Sequence, residues 1–333
     1  MANDPLFSTG DPVLWATVVC ALFALTAYLR SSYTGNFSFV DRVWSITPPI
    51  YAWIFAGFTF AKAGFDPRSL VGALLVTAWG ARLTWNFARK GGYKPGEEDY
   101  RWPTLRKIIT NKVLWSLFNL FFISIYQNFL VFLTTLPLWA AYLGATATPQ
   151  PAPQWTPTDT IGTIAFVVLL AGETLADNQQ WAFQTEKYAQ LNAGKKLSEL
   201  AAPYRYGFLN RGLFAVSRHP NFFCEFMQWW ALYLLSVGCA SATPLAFGEG
   251  VKGWLNWTIV GAVLLTLLFV GSTRFTEFIT ERKYPLYAVY KKRVSALVPW
   301  IPGSQDLESG PDAEAVLAAI QAAAAAKDSG KAA

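Results

Sequence analysis

Apolar positions in this chain gather into long uninterrupted stretches instead of recurring every second or fourth residue. Seven stretches of about 17 to 25 residues, enough helix to cross the hydrocarbon of a bilayer, alternate with polar segments. They run approximately from Pro12 to Leu29, Trp44 to Ala61, Leu70 to Phe87, Val113 to Leu143, Asp159 to Ala176, Phe222 to Ala240 and Gly253 to Gly271. The fourth is too long for one upright helix, and Pro137 within it predicts a kink or a break into two pieces, which sets the count between six and eight. The pattern predicts an all-α fold, a polytopic transmembrane helical bundle of about seven spans. The first stretch follows Asp4 and Asp11 and precedes Arg30, unlike a cleaved leader, and reads as a retained helix.

Charge refines this picture. Of the 27 basic residues, Lys62, Arg68 and Lys252 fall on one side of a seven-span arrangement and Arg82 lies within a span, leaving all the others on the opposite side. Because Lys and Arg are retained in the cytosol, the split predicts an odd number of spans, with the C-terminus cytosolic and the N-terminus outside or lumenal. The long polar loops 88–112 and 181–221, and the segment 272–299, then share the cytosolic face, where they would form cofactor-binding loops.

Composition agrees: 53% of residues are hydrophobic and 14% charged, with a mean hydropathy of +0.27. The formal charge of +6 follows the membrane ends, with no separate basic tract of the kind that binds nucleic acid. Cys20, Cys224 and Cys239 lie in apolar stretches without ligand spacing, and His219 is the single histidine, so neither a disulfide framework nor a metal site is expected. Residues 1–302 read as one domain, with an extended Pro-rich linker at 145–158 between its halves; 303–333 read as a mobile cytosolic tail.

Four polar clusters carry possible chemistry. Glu173, Asp177 and Gln180 follow i, i+4, i+7 spacing and share a helix face; Glu173 lies about a turn inside the membrane, where solvation is a poor account of a carboxylate. In the second, Arg211 and Arg218 suit phosphates, His219 a proton or hydrogen bond, and Pro220 opens a helix on which Asn221 and Glu225 share a face. Snorkelling at the interface is the plainer reading of Arg218 and His219. The third, Gly91 to Trp102, sets Glu97, Glu98 and Asp99 beside Arg101 and Arg106, as an ion-pair network or a solvated loop. The fourth gathers Glu277, Glu281, Tyr284, Tyr287, Tyr290 and Arg293, as a binding stripe or an aromatic belt.

GLFAVSRHPNFFCEFMQWW, the preceding E-x-x-x-D-x-Q-Q-x-x-F, the GEEDYRW loop, Gln127 in IYQNFL, and Y-x-x-Y-x-x-R with its VPW end together resemble the DUF1295 branch of the steroid 5α-reductase superfamily, from about Asp41 to Pro302. The resemblance implies a helical membrane enzyme that reduces a carbon–carbon double bond of a lipid or steroid-like enone with NADPH, in the endoplasmic reticulum. It places Asp177, Arg218, His219, Asn221 and Glu225 at the cofactor, with Arg211, Tyr287, Tyr290 and Arg293 nearby; Glu173 and Gln180 join them from their helix face. Hydride addition to an enone leaves an enolate, which needs an electrophile at the carbonyl and a proton source. Where steroid 5α-reductases carry a Tyr three residues before an Arg, this chain has Trp79 before Arg82, and indole does not release a proton. Asp41 and Tyr126 are the substitute catalytic candidates, although Asp41 equally suits a helix cap and Tyr126 a lipid-facing aromatic. Two other classes stay open: an S-adenosylmethionine-dependent methyltransferase of the isoprenylcysteine or phospholipid type, which shares R-H-P and a following Glu, and a non-enzymatic sterol-binding or scaffold protein.

Overall fold

The computed structural model describes residues 10–147, 154–240, 243, 245 and 253–329; Asp4, the middle of the linker at 148–153, and Lys252 lie outside them. The described residues form helices and turns, with no strand. In chain order the helices are α1 (Pro12–Thr34), α2 (Phe39–Val43), α3 (Thr47–Ala63), α4 (Pro67–Arg89), α5 (Arg101–Ile108), α6 (Lys112–Phe118), α7 (Gln127–Leu133), α8 (Leu136–Thr146), α9 (Pro157–Asn192), α10 (Pro220–Ala240), α11 (Ile259–Lys283), α12 (Tyr287–Arg293) and α13 (Pro311–Ser329). Four segments are long and apolar enough to cross a membrane: Pro12–Thr34, Lys112–Leu133, Pro157–Asn192 and Ile259–Lys283.

Each apolar stretch became helical, with ends fixed by local chemistry. Asp11 caps α1 by accepting the Val13 N–H at 2.9 Å, with Pro12 at the first helical position. Asp66 caps α4 in the same way through the Ser69 N–H at 2.7 Å. The long fourth stretch does break, at Thr134–Thr135 between α7 and α8. The two threonine hydroxyls donate to the carbonyls of Val131 and Phe132 at 2.8 and 2.7 Å, which satisfies acceptors exposed by the break. A π-helical turn over Asn119–Tyr126, ahead of that break, has no signature in the apolar pattern.

The chain forms two compact units. The first takes the residues up to Val168 together with Phe226–Thr266. Its core holds Tyr51, Phe55, Val76, Trp79, Leu138, Phe166, Trp229 and Leu232, all nearly or fully buried. Small residues bring its helices close: a Cβ at Gly162 of α9 would come within 2.6 Å of the Ala231 carbonyl of α10, and one at Gly72 of α4 within 2.2 Å of Leu138 of α8. Arg68 and Asp159 form a buried bidentate pair at 2.7 and 2.6 Å. Arg68, counted above as a loop charge, is therefore an interior one. Near the other end of this unit, Asp99 and Asp41 flank Arg101.

The second unit takes Leu169–Glu225 and everything from Leu267. Tyr206, Phe208, Tyr287, Tyr290 and Val294 form a buried aromatic cluster with Leu307 and Ala313. Leu307 and Ala313 belong to the segment expected to be a mobile tail. Residues 303–320 of it are held by Arg293, which donates to both carboxylate oxygens of Asp312 at 2.8 and 2.6 Å and to the Asp306 carbonyl at 2.6 Å.

Candidate functional site

The second unit contains the E-x-x-x-D-x-Q-Q-x-x-F motif and the R-H-P-N motif through Glu225. Residues 215–219 run beside 294–303 and are clasped by backbone bonds: Arg218 and His219 donate their N–H groups to the carbonyls of Ser295 and Ala296 at 2.8 and 3.1 Å, and Trp300 donates to Val216 at 2.9 Å. Ser217 adds a hydroxyl donation to Leu297 O at 2.7 Å. The His219 carbonyl accepts the Phe223 N–H at 3.1 Å, so His219 stands at the mouth of α10 and Pro220 occupies the first turn, where its missing N–H costs no helical bond.

Inside the clasp lies a buried charged cluster centred on Glu277 of α11. Arg218 donates from Nε and Nη2 to the two oxygens of Glu277 at 2.6 and 3.1 Å. Its Nη1 is given to the carbonyls of Lys291, at 3.0 Å, and Val294. His219 Nε2 lies 3.1 Å from Glu277 Oε1. The Tyr287 hydroxyl stands 3.4 Å from that same oxygen and 3.5 Å from His219 Nε2. Burial first, and then the negative charge of Glu277, raise the Tyr287 hydroxyl above its ordinary value, so it stays protonated. Arg218, expected to meet a phosphate, is occupied by these internal acceptors, and its side chain is only 9% exposed. The partner responsible, Glu277, stood in the tyrosine-rich cluster of the sequence without a role.

The carboxylate and amide face is assembled by α9 and α10. Glu173 and Asp177 are buried, as is Glu225; Gln180 and Asn221 are half-buried. Asn221 Nδ2 donates to Asp177 Oδ1 at 3.4 Å, joining two motifs separated by 44 positions. Gln179, which the spacing argument passed over, accepts the Leu213 N–H at 2.9 Å and ties the turn ahead of R-H-P to α9. A second residue without a sequence signal is Lys187, buried among Phe183, Tyr188 and Tyr284 and donating to Gly207 O at 2.9 Å. Arg211 is exposed at the start of the Gly212–Ala215 turn. Tyr290 donates its hydroxyl to Phe214 O, and Arg293 is engaged by Asp312 and the carbonyls of Asp306 and Ser309.

The two catalytic candidates belong to the first unit. Asp41 Oδ2 accepts the Trp102 indole N–H at 2.8 Å, and Arg101 lies 3.5 Å from Oδ1. Burial pushes its carboxyl above the ordinary aspartate value against the opposing pull of Arg101. It sits inside α2, not ahead of it, and fastens the 97–102 loop. Tyr126 is half-buried and stacks on Phe122, which stacks on Phe118. Trp79 is fully buried edge-on to Trp229, with ring centroids 4.8 Å apart.

Chemically, the face on α9 and α10 offers carboxylates and amides suited to hydroxyl and amide ligands, while the Glu277 cluster holds the turn that carries Asn221. A search of solved structures gives no match. An uncharacterized protein of Schizosaccharomyces pombe is 36% identical over 281 residues, covering 82% of this chain and 76% of its own length. A family model described as a protein of unknown function, DUF1295, matches residues 27–294. With the E-x-x-x-D-x-Q-Q-x-x-F motif, the R-H-P-N motif and the GEEDYRW loop inside that match, the chain belongs to the DUF1295 family.

Proposed function

We propose that this protein is a membrane-embedded reductase that uses NADPH to saturate a carbon–carbon double bond conjugated to a carbonyl in a lipophilic substrate. The observation that carries the reading is the meeting of Asn221 with Asp177 on a face that also holds the buried carboxylates Glu173 and Glu225. Buried carboxylates on apolar helices are costly, and they mark ligand sites more often than scaffolding. Likeness of the same motifs to the steroid 5α-reductases supplies the cofactor and the bond type.

The donor set fits one end of NADPH better than the other. Asp177, Asn221, Glu225 and Gln180 can accept ribose hydroxyls and carboxamide N–H groups, and the exposed Arg211 can meet the diphosphate. Arg218, Tyr290 and Arg293 are assigned to holding the clasp, since their polar atoms are occupied within the protein. When bound, NADPH supplies hydride. The protein's own part is to orient that ligand through Asn221 and Asp177, and to keep the RHPN turn fixed through Glu277, His219 and Tyr287. In this reading seven helical segments span the membrane of the endoplasmic reticulum, and the cofactor enters from the cytosol.

A thermal-shift titration of the detergent-purified protein with NADPH, NADH and S-adenosylmethionine tests the proposal, because a ligand that binds only the folded state raises its apparent stability. NADPH is expected to raise the midpoint, and Asn221→Ala to blunt the response. Stabilisation by S-adenosylmethionine alone would replace the reductase with a methyltransferase.

A further inference from the structure

The C-terminal end of α1, in the first unit, carries an arginine-lined pocket that the reductase chemistry does not use. The cavity measures about 390 Å³ and is lined by Arg30 and Thr34 of α1, Asn36 after it, Arg42 of α2, and Gly96 and Glu98 of the 91–102 loop. That volume is within the range of small-ligand sites.

Its acceptors are already taken. Glu98 receives the Phe37 N–H at 2.9 Å and an Arg106 guanidinium N–H, and the Gly35 carbonyl receives Arg106 Nη1 at 2.9 Å. The Arg30 carbonyl at the end of α1 receives the Thr34 hydroxyl at 2.8 Å, and Asn36 covers the carbonyls of Gly96 and Glu97. Donors, by contrast, remain. Arg42 donates from Nε and Nη2 to the carbonyls of Gly92, Lys94 and Glu97, which leaves Nη1. Arg30 lies over the Phe39 ring at 5.5 Å, and among the described residues its guanidinium donates no hydrogen bond. Arg106 is paired with Glu98, and Arg101 with Asp99 and Asp41, which leaves Arg30 and Arg42 as the arginines here without a carboxylate partner among the described residues. The pocket therefore presents two guanidinium groups with N–H groups to spare, which suits phosphate oxygens.

The source of the phosphate follows from α1 itself. Leu22, Leu25 and Leu29, at i, i+3 and i+7 on one face, are 57%, 54% and 58% exposed, and Arg30 follows Leu29 about 100° further round the helix, within reach of that face through its long side chain. α1 is one of the segments long and apolar enough to span a bilayer, so this stripe faces acyl chains. The geometry points to a binding site for an anionic phospholipid, with its phosphate on Arg30 and Arg42 and its chains along Leu22, Leu25 and Leu29. The site is independent of the reductase reading.

The test compares phosphatidic acid with phosphatidylcholine at equal mole fraction in nanodiscs, counting lipids retained on the full chain by native mass spectrometry. Wild type is expected to prefer phosphatidic acid, and Arg30→Gln with Arg42→Gln to reduce that preference about tenfold or more; Arg30→Gln alone, which removes no hydrogen bond within the protein, is expected to lower the preference with the thermal midpoint unchanged. Lys195→Gln with Lys196→Gln, on an exposed loop of the other unit, is expected to leave it intact. Equal retention by wild type and the Arg30/Arg42 variant overturns the site. Occupation in detergent by millimolar inorganic phosphate, with no gain from an acylated ligand, overturns the lipid as its source. Should the double variant fail to fold, Arg30→Gln alone carries the test.

Discussion

Arg218 shows how far residue chemistry can be read from a motif and where the reading stops. An arginine beside a histidine at a helix mouth invites a phosphate, and nothing local in the sequence says otherwise. Its actual partner, Glu277, lies 59 positions away on another helix, and the choice between internal carboxylate and external phosphate is made by tertiary packing. The consequence separates two neighbours that the sequence treats alike. Arg218→Ala leaves Glu277 buried without its guanidinium and exposes two carbonyl acceptors, so it should cost about 3–5 kcal/mol of folding stability. Asn221→Ala removes one long hydrogen bond at 3.4 Å and should cost about 1 kcal/mol or less, while weakening NADPH binding about tenfold. Chemical denaturation of both variants, alongside NADPH titration, checks the contrast; equal stability losses would place Asn221 in the scaffold as well.

At the scale of elements, helices were legible, and of their joints only the break between α7 and α8 was. Length and hydropathy identified the apolar segments because a lipid-facing helix has no polar face to blur them, and Pro137 announced the break between α7 and α8. The π-helical turn at 119–126 escaped because its residues are as apolar as their neighbours. The Ala-rich C-terminal segment reads as mobile from its composition for a related reason: the attachment of residues 303–320 depends on a few non-alanine side chains. Arg293 grips Asp312, and the hydrogen bond from that guanidinium holds the Asp312 carboxyl below its ordinary value. A carboxyl depressed by folding contributes its full stability above the unfolded value, near 3.9, and loses it as pH falls through the lower folded one. The 303–320 segment should therefore stay docked at neutral pH and loosen at pH below about 4. Asp312→Asn should produce the same loosening at pH 7. Hydrogen exchange of amides in 311–320 measures it, and unchanged protection in Asp312→Asn would shift the anchoring role to Leu307 and Ala313.

For the whole molecule, the decisive quantity is how basic residues divide between the two membrane faces, and the structure sharpens that division. Lys62 is exposed and donates to Gly10 O at 2.6 Å, whereas Arg68 is sealed in its pair with Asp159, so of the two described cations on the sparse side only Lys62 meets solvent. On the rich side, Lys90, Lys107, Lys195 and Lys292 are exposed. Desolvating an unpaired cation during translocation is unfavourable, whereas a cation destined for a buried pair can be neutralised as the helices assemble. The proposed topology, an odd number of crossings with the C-terminus in the cytosol, therefore rests on the solvated residues. Single cysteines probed with a membrane-impermeant maleimide on sealed, cytosol-out vesicles test this, and the buried native Cys20, Cys224 and Cys239 give a low background. Lys107→Cys and Lys195→Cys should react in intact vesicles, whereas Phe65→Cys, at a position 71% exposed between α3 and α4, should react only after permeabilisation. Reaction of Phe65→Cys and Lys195→Cys together in intact vesicles would break the assignment, and would move the cofactor route proposed for the loop 181–221 with it.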